Sequence, residues 1–149
     1  MRSFNSFESF AAHLAGIIAA IDAAQTTALK AAAVHVEKVA KAKIGEYQES
    51  AGPFVGWAVL APSTLAEKER LGFSPPDNPL LRTGALRDSI SHHVETFEAQ
   101  IGSNSDIAVY QELGTRSMPP RSFLGATGIE EAPKVVAIIS AGIDAALGG

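Results

Sequence analysis

Cysteine is absent from all 149 residues, which removes disulfides, thiolate metal sites and cysteine nucleophiles and makes a disulfide-stapled secreted module untenable. Charge is scarce. Charged residues make up 19% of the chain, and 12 Lys and Arg face 16 Asp and Glu for a net charge of -4, which argues against a duplex-wrapping surface. Aromatic residues supply only 7% of a chain that is 46% hydrophobic. Much of the apolar content is alanine, so many buried contacts are expected to be close, small-residue contacts between helices. Long apolar runs are also missing: the longest are interrupted well short of about 18 residues. The N-terminal decapeptide holds Glu8 and a single basic side chain, so neither a membrane span nor a normal signal peptide is expected. No repeat of fixed period is visible, and the length suits one domain over residues 1–149,.

What is present begins with a long helical pattern over residues 7–43. Phe7, Phe10, Leu14, Ile17, Ile21, Ala24 and Ala28 recur at steps of three and four, and Val36 and Val39 resume the stripe,. Asn5 with Glu8 forms a start box, with Ser3 or Ser6 as alternative caps, and Gly45 is the stop. Read as one helix it is roughly 55 Å long, against a radius of gyration of about 15 Å for a compact chain of this size. It would then protrude or pack on a neighbour. A break at Gly16 or at Gln25-Thr26-Thr27 would instead give two ordinary helices.

The remaining elements are shorter. Residues 54–60 read as a strand weakened by glycine. Thr64 and Glu67 form a capping box for a polar helix through Arg70 that Gly72 closes, and the three prolines of residues 73–79 make an exposed loop,. Thr83 caps a short helical turn that feeds a strand carrying Ile90, His92 and Val94. Phe97, Ala99 and Ile101 alternate in the opposite phase, so a hairpin or a bulge lies near Glu95 and Thr96. Ser103 with Asp106 caps a helix over 106–113 that Gly114 ends. Residues 116–121 are extended or irregular, and a final helix spans about 125–147, either kinking or beginning at Pro133. The expected fold is α+β: long N-terminal and C-terminal helices packed on a small, mostly antiparallel sheet, with an extended central loop and a motif-bearing core at 54–124.

Catalytic signatures are lacking. No G-x-G-x-x-G follows a strand and no glycine-rich loop ends in Lys-Ser or Lys-Thr. The histidines are His13, His35, His92 and His93; none makes H-E-x-x-H, and neighbours 92 and 93 point to opposite faces of a strand. Asp88, Ser89 and His92 lack a nucleophile-elbow context, and read as a strand edge and helix cap. Glu67, Glu69, Glu130 and Glu131 fall at helix starts or solvated positions. No enzyme activity, metal or cofactor is expected.

Arg82, Arg87, Arg116 and Arg121 flank the glycine- and proline-rich connections. Their guanidiniums suit three roles: pairing within the chain with Glu112 or Asp88, clamping a carboxylate of a partner subunit, or touching phosphates. Tyr110, Met118 and Phe123 read as core anchors, and Trp57 as either a core rim or an interface hot spot.

The order of these residues carries a resemblance. Leu80-Leu81-Arg82-Thr83-Gly84-Ala85-Leu86-Arg87-Asp88-Ser89-Ile90 is followed by Ile101-Gly102-Ser103, then Tyr110-Gln111-Glu112-Leu113-Gly114-Thr115, then Met118-Pro119-Pro120-Arg121-Ser122-Phe123-Leu124. This succession resembles the tail-completion and virion-morphogenesis proteins of tailed bacteriophages, in their Mu-type branch, with overlap into the minor tail-component (neck) family of HK97-like phages. Trp57-x-x-Leu60 and Thr64-x-x-x-Lys68 with Gly72 fit the same pattern. Gln111 and Leu113 stand where histidine or phenylalanine variants are usual, and Ser122 where some members have proline. The resemblance implies a structural protein of the virion, assembled in the host cytoplasm and acting at the tail or the head-tail junction. Its implied partners are tail-tube, tail-terminator or head-tail connector proteins and further copies of itself, in a homo-oligomer or ring, with no membrane and at most incidental contact with DNA in a channel. Under it, Trp57, Arg82, Thr83, Gly84, Leu86, Arg87, Tyr110, Glu112, Gly114, Thr115, Pro119, Arg121 and Phe123 are interface or fold-setting positions. The other expectation is a small regulatory or nucleic-acid-associated protein of a mobile element, with the arginines on phosphates.

Overall fold

A computed structural model describes residues 3–148. The first element, α1 (Phe7–Lys43), is one unbroken helix of 37 residues. Gly16 has open space around it. The hydroxyls of Thr26 and Thr27 donate back to the carbonyls of Asp22 at 3.1 Å and Ala23 at 3.0 Å, a bond that keeps these polar residues inside a helix. The cap is Ser6, one of the alternatives to the Asn5 and Glu8 pair: extended Ser6 and helical Ser9 exchange reciprocal side-chain to backbone bonds at 3.2 Å. At the other end Gly45 has φ 103°, and its N–H donates to Pro79 O at 2.8 Å, turning the chain back toward the body.

The stretch after α1 is not the expected strand at 54–60. Only an isolated bridge joins Ala51 to Phe54. Beyond it the acceptors of Ala58 and Val59 are taken by a side chain, the Arg121 guanidinium, so no sheet partner is needed. Next, α2 (Pro62–Arg70) starts without the expected Thr64/Glu67 box. Pro62 sits in the first turn after Ala61 with no side-chain cap, where its missing N–H costs nothing.

A short helix α3 (Ala85–Ser89) follows left-handed Gly84, φ 88°, while Thr83 Oγ1 accepts from the N–H of Ala85 at 3.3 Å. It leads into β1 (Ile90–Val94), which pairs antiparallel with β2 (Ala99–Ser103) in the register Ile90 to Ser103 and Val94 to Ala99. The change of phase is thus a hairpin turn, closed by Glu95 N–H to Glu98 O at 2.7 Å. Phe97, expected in the second strand, lies in that turn and is exposed.

Then α4 (Asp106–Leu113) spans the expected residues, though its cap is Ser105 rather than a Ser103 and Asp106 box; Ser103 Oγ accepts instead from Ser105 N at 3.1 Å. Gly114 ends it at φ 75°, where an added Cβ would sit 2.8 Å from Pro120 N and 2.9 Å from Met118 O. Glycine is required there on both counts. The last element, α5 (Leu124–Ala146), runs through Pro133 without starting there.

The two long helices lie antiparallel, with Gly142 beside Ala28, Glu131 beside His35 and Glu130 beside Lys43. A Cβ at Gly142 would come within 2.7 Å of Ala28 Cβ, and Ala28, Ala32, Ala33 and Ala40 are all buried. Small residues therefore set the helix spacing, as the alanine-rich composition led us to expect. The core gathers Ala40, Ile44, Trp57, Leu86, Ile90, Ala108 and Phe123, with Leu80, Leu81, Ile101 and Leu124 against them. All of it lies toward the C-terminal part of α1, so the α+β architecture is a long helical pair with a small antiparallel hairpin and its loops clustered at one end.

Candidate functional site

The motif residues meet at the start of α5. Glu112, on α4, reaches across so that Oε2 accepts from the N–H groups of Phe123 at 2.9 Å and Leu124 at 3.0 Å, and Oε1 from Gly125 N–H at 2.8 Å and Ser122 Oγ at 2.5 Å. A carboxylate on the free N–H groups of a helix start satisfies donors that would otherwise be orphaned and complements the helix dipole. Gly125 has to be glycine here, since a Cβ would lie 2.4 Å from the Phe54 ring. Trp57 Nε1 donates to Ser122 O at 3.1 Å, and Phe123 is 0% exposed.

Arg121 is 5% exposed. It donates to Ala58 O at 2.9 and 3.2 Å and Val59 O at 3.3 Å, and its own N–H donates to Gln111 O at 2.7 Å. Trp57, Glu112, Arg121 and Phe123 are therefore fold-setting. Glu112 does not pair with an arginine, as sequence reasoning had considered; it caps α5.

The other arginines are at the surface. Arg82 contacts Glu67 at 3.2 Å and Arg87 contacts Asp88 at 3.4 Å, all four side chains well exposed, so these pairs contribute little to stability. Arg116 and Thr115 are exposed. Tyr110, expected as a core anchor, is 54% exposed on the outer face of α4, because the inward positions of that helix are taken by Ala108 and Glu112.

Beside this knot of Trp57, Glu112, Arg121 and Phe123 at the start of α5 lies a cavity of about 790 Å³. It brings together Arg82, Thr83, Gly84, Leu86, Pro119 and Arg121 from separate sequence blocks. Lys68 also lines it, 2% exposed, with its ammonium donating to Asn78 O at 2.6 Å. Burial, reinforced by the nearby Arg82 charge, pushes the Lys68 pKa down, and Asp77 opposes this. The Asp77 carboxylate itself accepts from Tyr47 OH at 2.5 Å. Among the described residues neither Lys68 nor Arg121 has a carboxylate within ion-pair distance. The cavity wall also carries Gln111, whose buried Oε1 accepts no hydrogen bond among the described residues. Lys68 had been noticed in sequence only as part of a spacing; nothing in a short polar helix signals that its one lysine turns inward.

The sequence suggests other surroundings for two glutamates. Glu130 and Glu131, expected at solvated positions, bind α5 to α1: Glu130 pairs with buried Lys43, and Glu131 with His35 Nε2 at 2.6 Å. Glu37, on α1, holds Lys41 at 2.5 Å and His92 of β1, and the Lys41 hydrogen bond, then that of His92, lowers its pKa against the opposing effect of burial. The hydrolytic trio does not converge. Ser89 Oγ is engaged with Leu86 O and Ser103 Oγ, both at 2.6 Å, while His92 faces Glu37. Among the described residues no group of three or more His, Asp and Glu is arranged to hold a metal ion.

The most exposed apolar surface lies elsewhere. The stripe that α5 covers at Ala28 continues along α1 through Ile21, Ile18, Leu14 and Phe10 to Phe7, at steps of three and four,. Phe7 is 83% exposed, and Phe10, Leu14 and Ile18 are exposed as well. Phe4 folds back, its ring 5.2 Å from that of Phe10 and 5.0 Å from His13. By length and composition α1 is also long and apolar enough to cross a membrane, where the interrupted apolar runs had led us to expect no such segment.

In comparison with known proteins, no family model, no curated protein and no solved structure matches this chain.

Proposed function

We propose that this chain is a non-enzymatic assembly protein of a tailed-phage or prophage virion, completing the tail or joining it to the head through protein contacts. The observation that carries the reading is the bare arm of α1, with Phe7, Phe10, Leu14 and Ile18 exposed along one stripe. A surface of that kind serves protein association. The ordered Thr-Gly, Gly-Thr and Pro-x-Arg-x-Phe blocks that resemble tail-completion proteins support it from the side of sequence. The alternative, a nucleic-acid-associated protein, has less support: Arg82 and Arg87 face carboxylates and Arg121 is interior, which leaves few guanidiniums for phosphates.

The reading is tested by deleting the coding gene from the genome that carries it, inducing particle production and imaging the lysate by electron microscopy. Free heads beside unfinished or unattached tails are expected. Normal heads joined to normal tails would reject the proposal. A filter-binding assay across a salt series separates the alternative, since phosphate contacts weaken steeply as salt rises.

A further inference from the structure

The chain leaves two surfaces incomplete, at opposite ends of its longest helix. One is the arm, residues 7–21 of α1, whose apolar stripe passes beyond the reach of α5. Between Glu8 and Asp22 it carries no Asp, Glu, Lys or Arg. The other is the cavity beside the C-terminal end of α1, where Gly45 lies against Leu81 of the cavity wall. Its mouth is rimmed by Val59, Leu71 and Ile107, all large, apolar and exposed, and its lining residues include Lys68, Arg82 and Arg121 but no Asp or Glu. The buried Oε1 of Gln111, which has no hydrogen-bond partner among the described residues, is an acceptor whose cost a donor from outside would relieve.

We propose that the arm of one copy seats in this cavity on the next copy, forming a head-to-tail contact. The two surfaces match in chemistry. Phe7 and Phe10 offer aromatic bulk to an apolar rim, and Glu8, beside them in the first turn, offers a carboxylate to a wall with an excess of cations. The cavity volume of about 790 Å³ falls in the range, roughly 300–1,000 Å³, that encloses a bulky inserted group. One chain cannot make the contact with itself, because α1 holds the two surfaces apart by roughly 50 Å at about 1.5 Å per residue. A second copy can. A contact between two different patches repeats from copy to copy, closing into a ring or extending as a filament. The inference deepens the assembly reading and rests on it for its biological setting, but it concerns the purified protein and fails separately: particle imaging tests the one, subunit contacts test the other.

The absence of cysteine makes the test direct. Full-length Phe7→Cys and full-length Ser117→Cys, the latter at the exposed cavity edge, are mixed and oxidised mildly. The mixed 7-to-117 disulfide is expected to exceed the 7-to-7 and 117-to-117 products several-fold. In analytical ultracentrifugation the unmodified protein is expected to sediment as an oligomer, the double variant Phe7→Ser/Phe10→Ser as a monomer, and Glu8→Gln as a weakened oligomer. These arm residues contact none of the core, so a retained melting temperature certifies that the variants are folded. A dominant 7-to-7 product would overturn the proposal in favour of arm-to-arm pairing. A monomer at all concentrations would overturn it as well, and so would flotation with phosphatidylcholine vesicles in place of the mixed cross-link, which would make the arm a membrane element.

Discussion

The two halves of α1 obey different rules. From Ala28 to Lys43 the helix is held on several sides: alanines set its distance from α5, Lys43 and His35 take carboxylates from that helix, and Glu37 takes His92 from the hairpin. From Phe7 to Ile21 the same apolar periodicity continues, yet Phe7, Phe10, Leu14 and Ile18 on it are exposed. A stripe of this kind marks a surface to be covered and does not say by what. In the body half the cover is α5, while in the arm half the larger side chains, Phe7, Phe10 and Leu14, are exposed.

This contrast can be broken most severely at the knot. Phe123→Ala removes a ring that is 0% exposed and is expected to cost about 3–5 kcal/mol, enough to unfold much of the protein in a thermal melt followed by circular dichroism. Glu112→Ala is next. It strips the acceptor from the first N–H groups of α5, each costly to leave unsatisfied, and should lose about 3 kcal/mol, read as a lowered urea midpoint. Gly142→Val inserts bulk against Ala28 and should cost about 1–3 kcal/mol by overpacking. It is the variant that pries the helical pair apart while leaving the knot untouched, so loss of α5 amide protection with an intact hairpin is the expected hydrogen-exchange signature.

A smaller effect follows from Glu37. Its folded pKa is lowered, so its contribution to stability is present above the ordinary carboxylate range and is lost as pH falls through the folded value,. Denaturation midpoints taken down an acid series should therefore decline, and Glu37→Gln should make the decline shallower. Smallest of all is Phe7→Ser, at a side chain 83% exposed in one copy; in melts dilute enough to keep the protein monomeric, stability should change by no more than about 0.5 kcal/mol. A large loss of stability from that change would mean that the arm is not bare and the contrast between the halves is wrong.

Much of the fold was legible because it rests on local rules. The period of Phe7 to Val39 and the glycines at 45 and 114 placed helices, and the opposed phases around Glu95 narrowed the next segment to a hairpin or a bulge. Where sequence reasoning failed, a distant group had taken over a local role. Residues 54–60 look like a strand, but their acceptors belong to Arg121, far along the chain. Thr64 and Glu67 look like a cap, but Pro62 starts the helix first. Glu112 sits at the end of one helix and looks like a partner for arginine, yet its carboxylate caps another. The candidate site was legible only in its membership: Arg82, Thr83, Gly84, Leu86, Pro119 and Arg121 were singled out separately, and nothing in their spacing said that Lys68 and Gln111 would join them around one cavity.

The sequence by itself determined that this is a low-charge, cysteine-free chain opening on a long apolar helical stripe, because periodicity and composition are local properties that no tertiary contact is needed to read. Only the tertiary structure decided which part of that helix is covered, which charges lie without carboxylates, and that both incomplete surfaces stand at opposite ends of one rigid element. Those are questions of who neighbours whom across the chain, and they are answered by packing, since the side chains concerned are the same whether they find a partner or not.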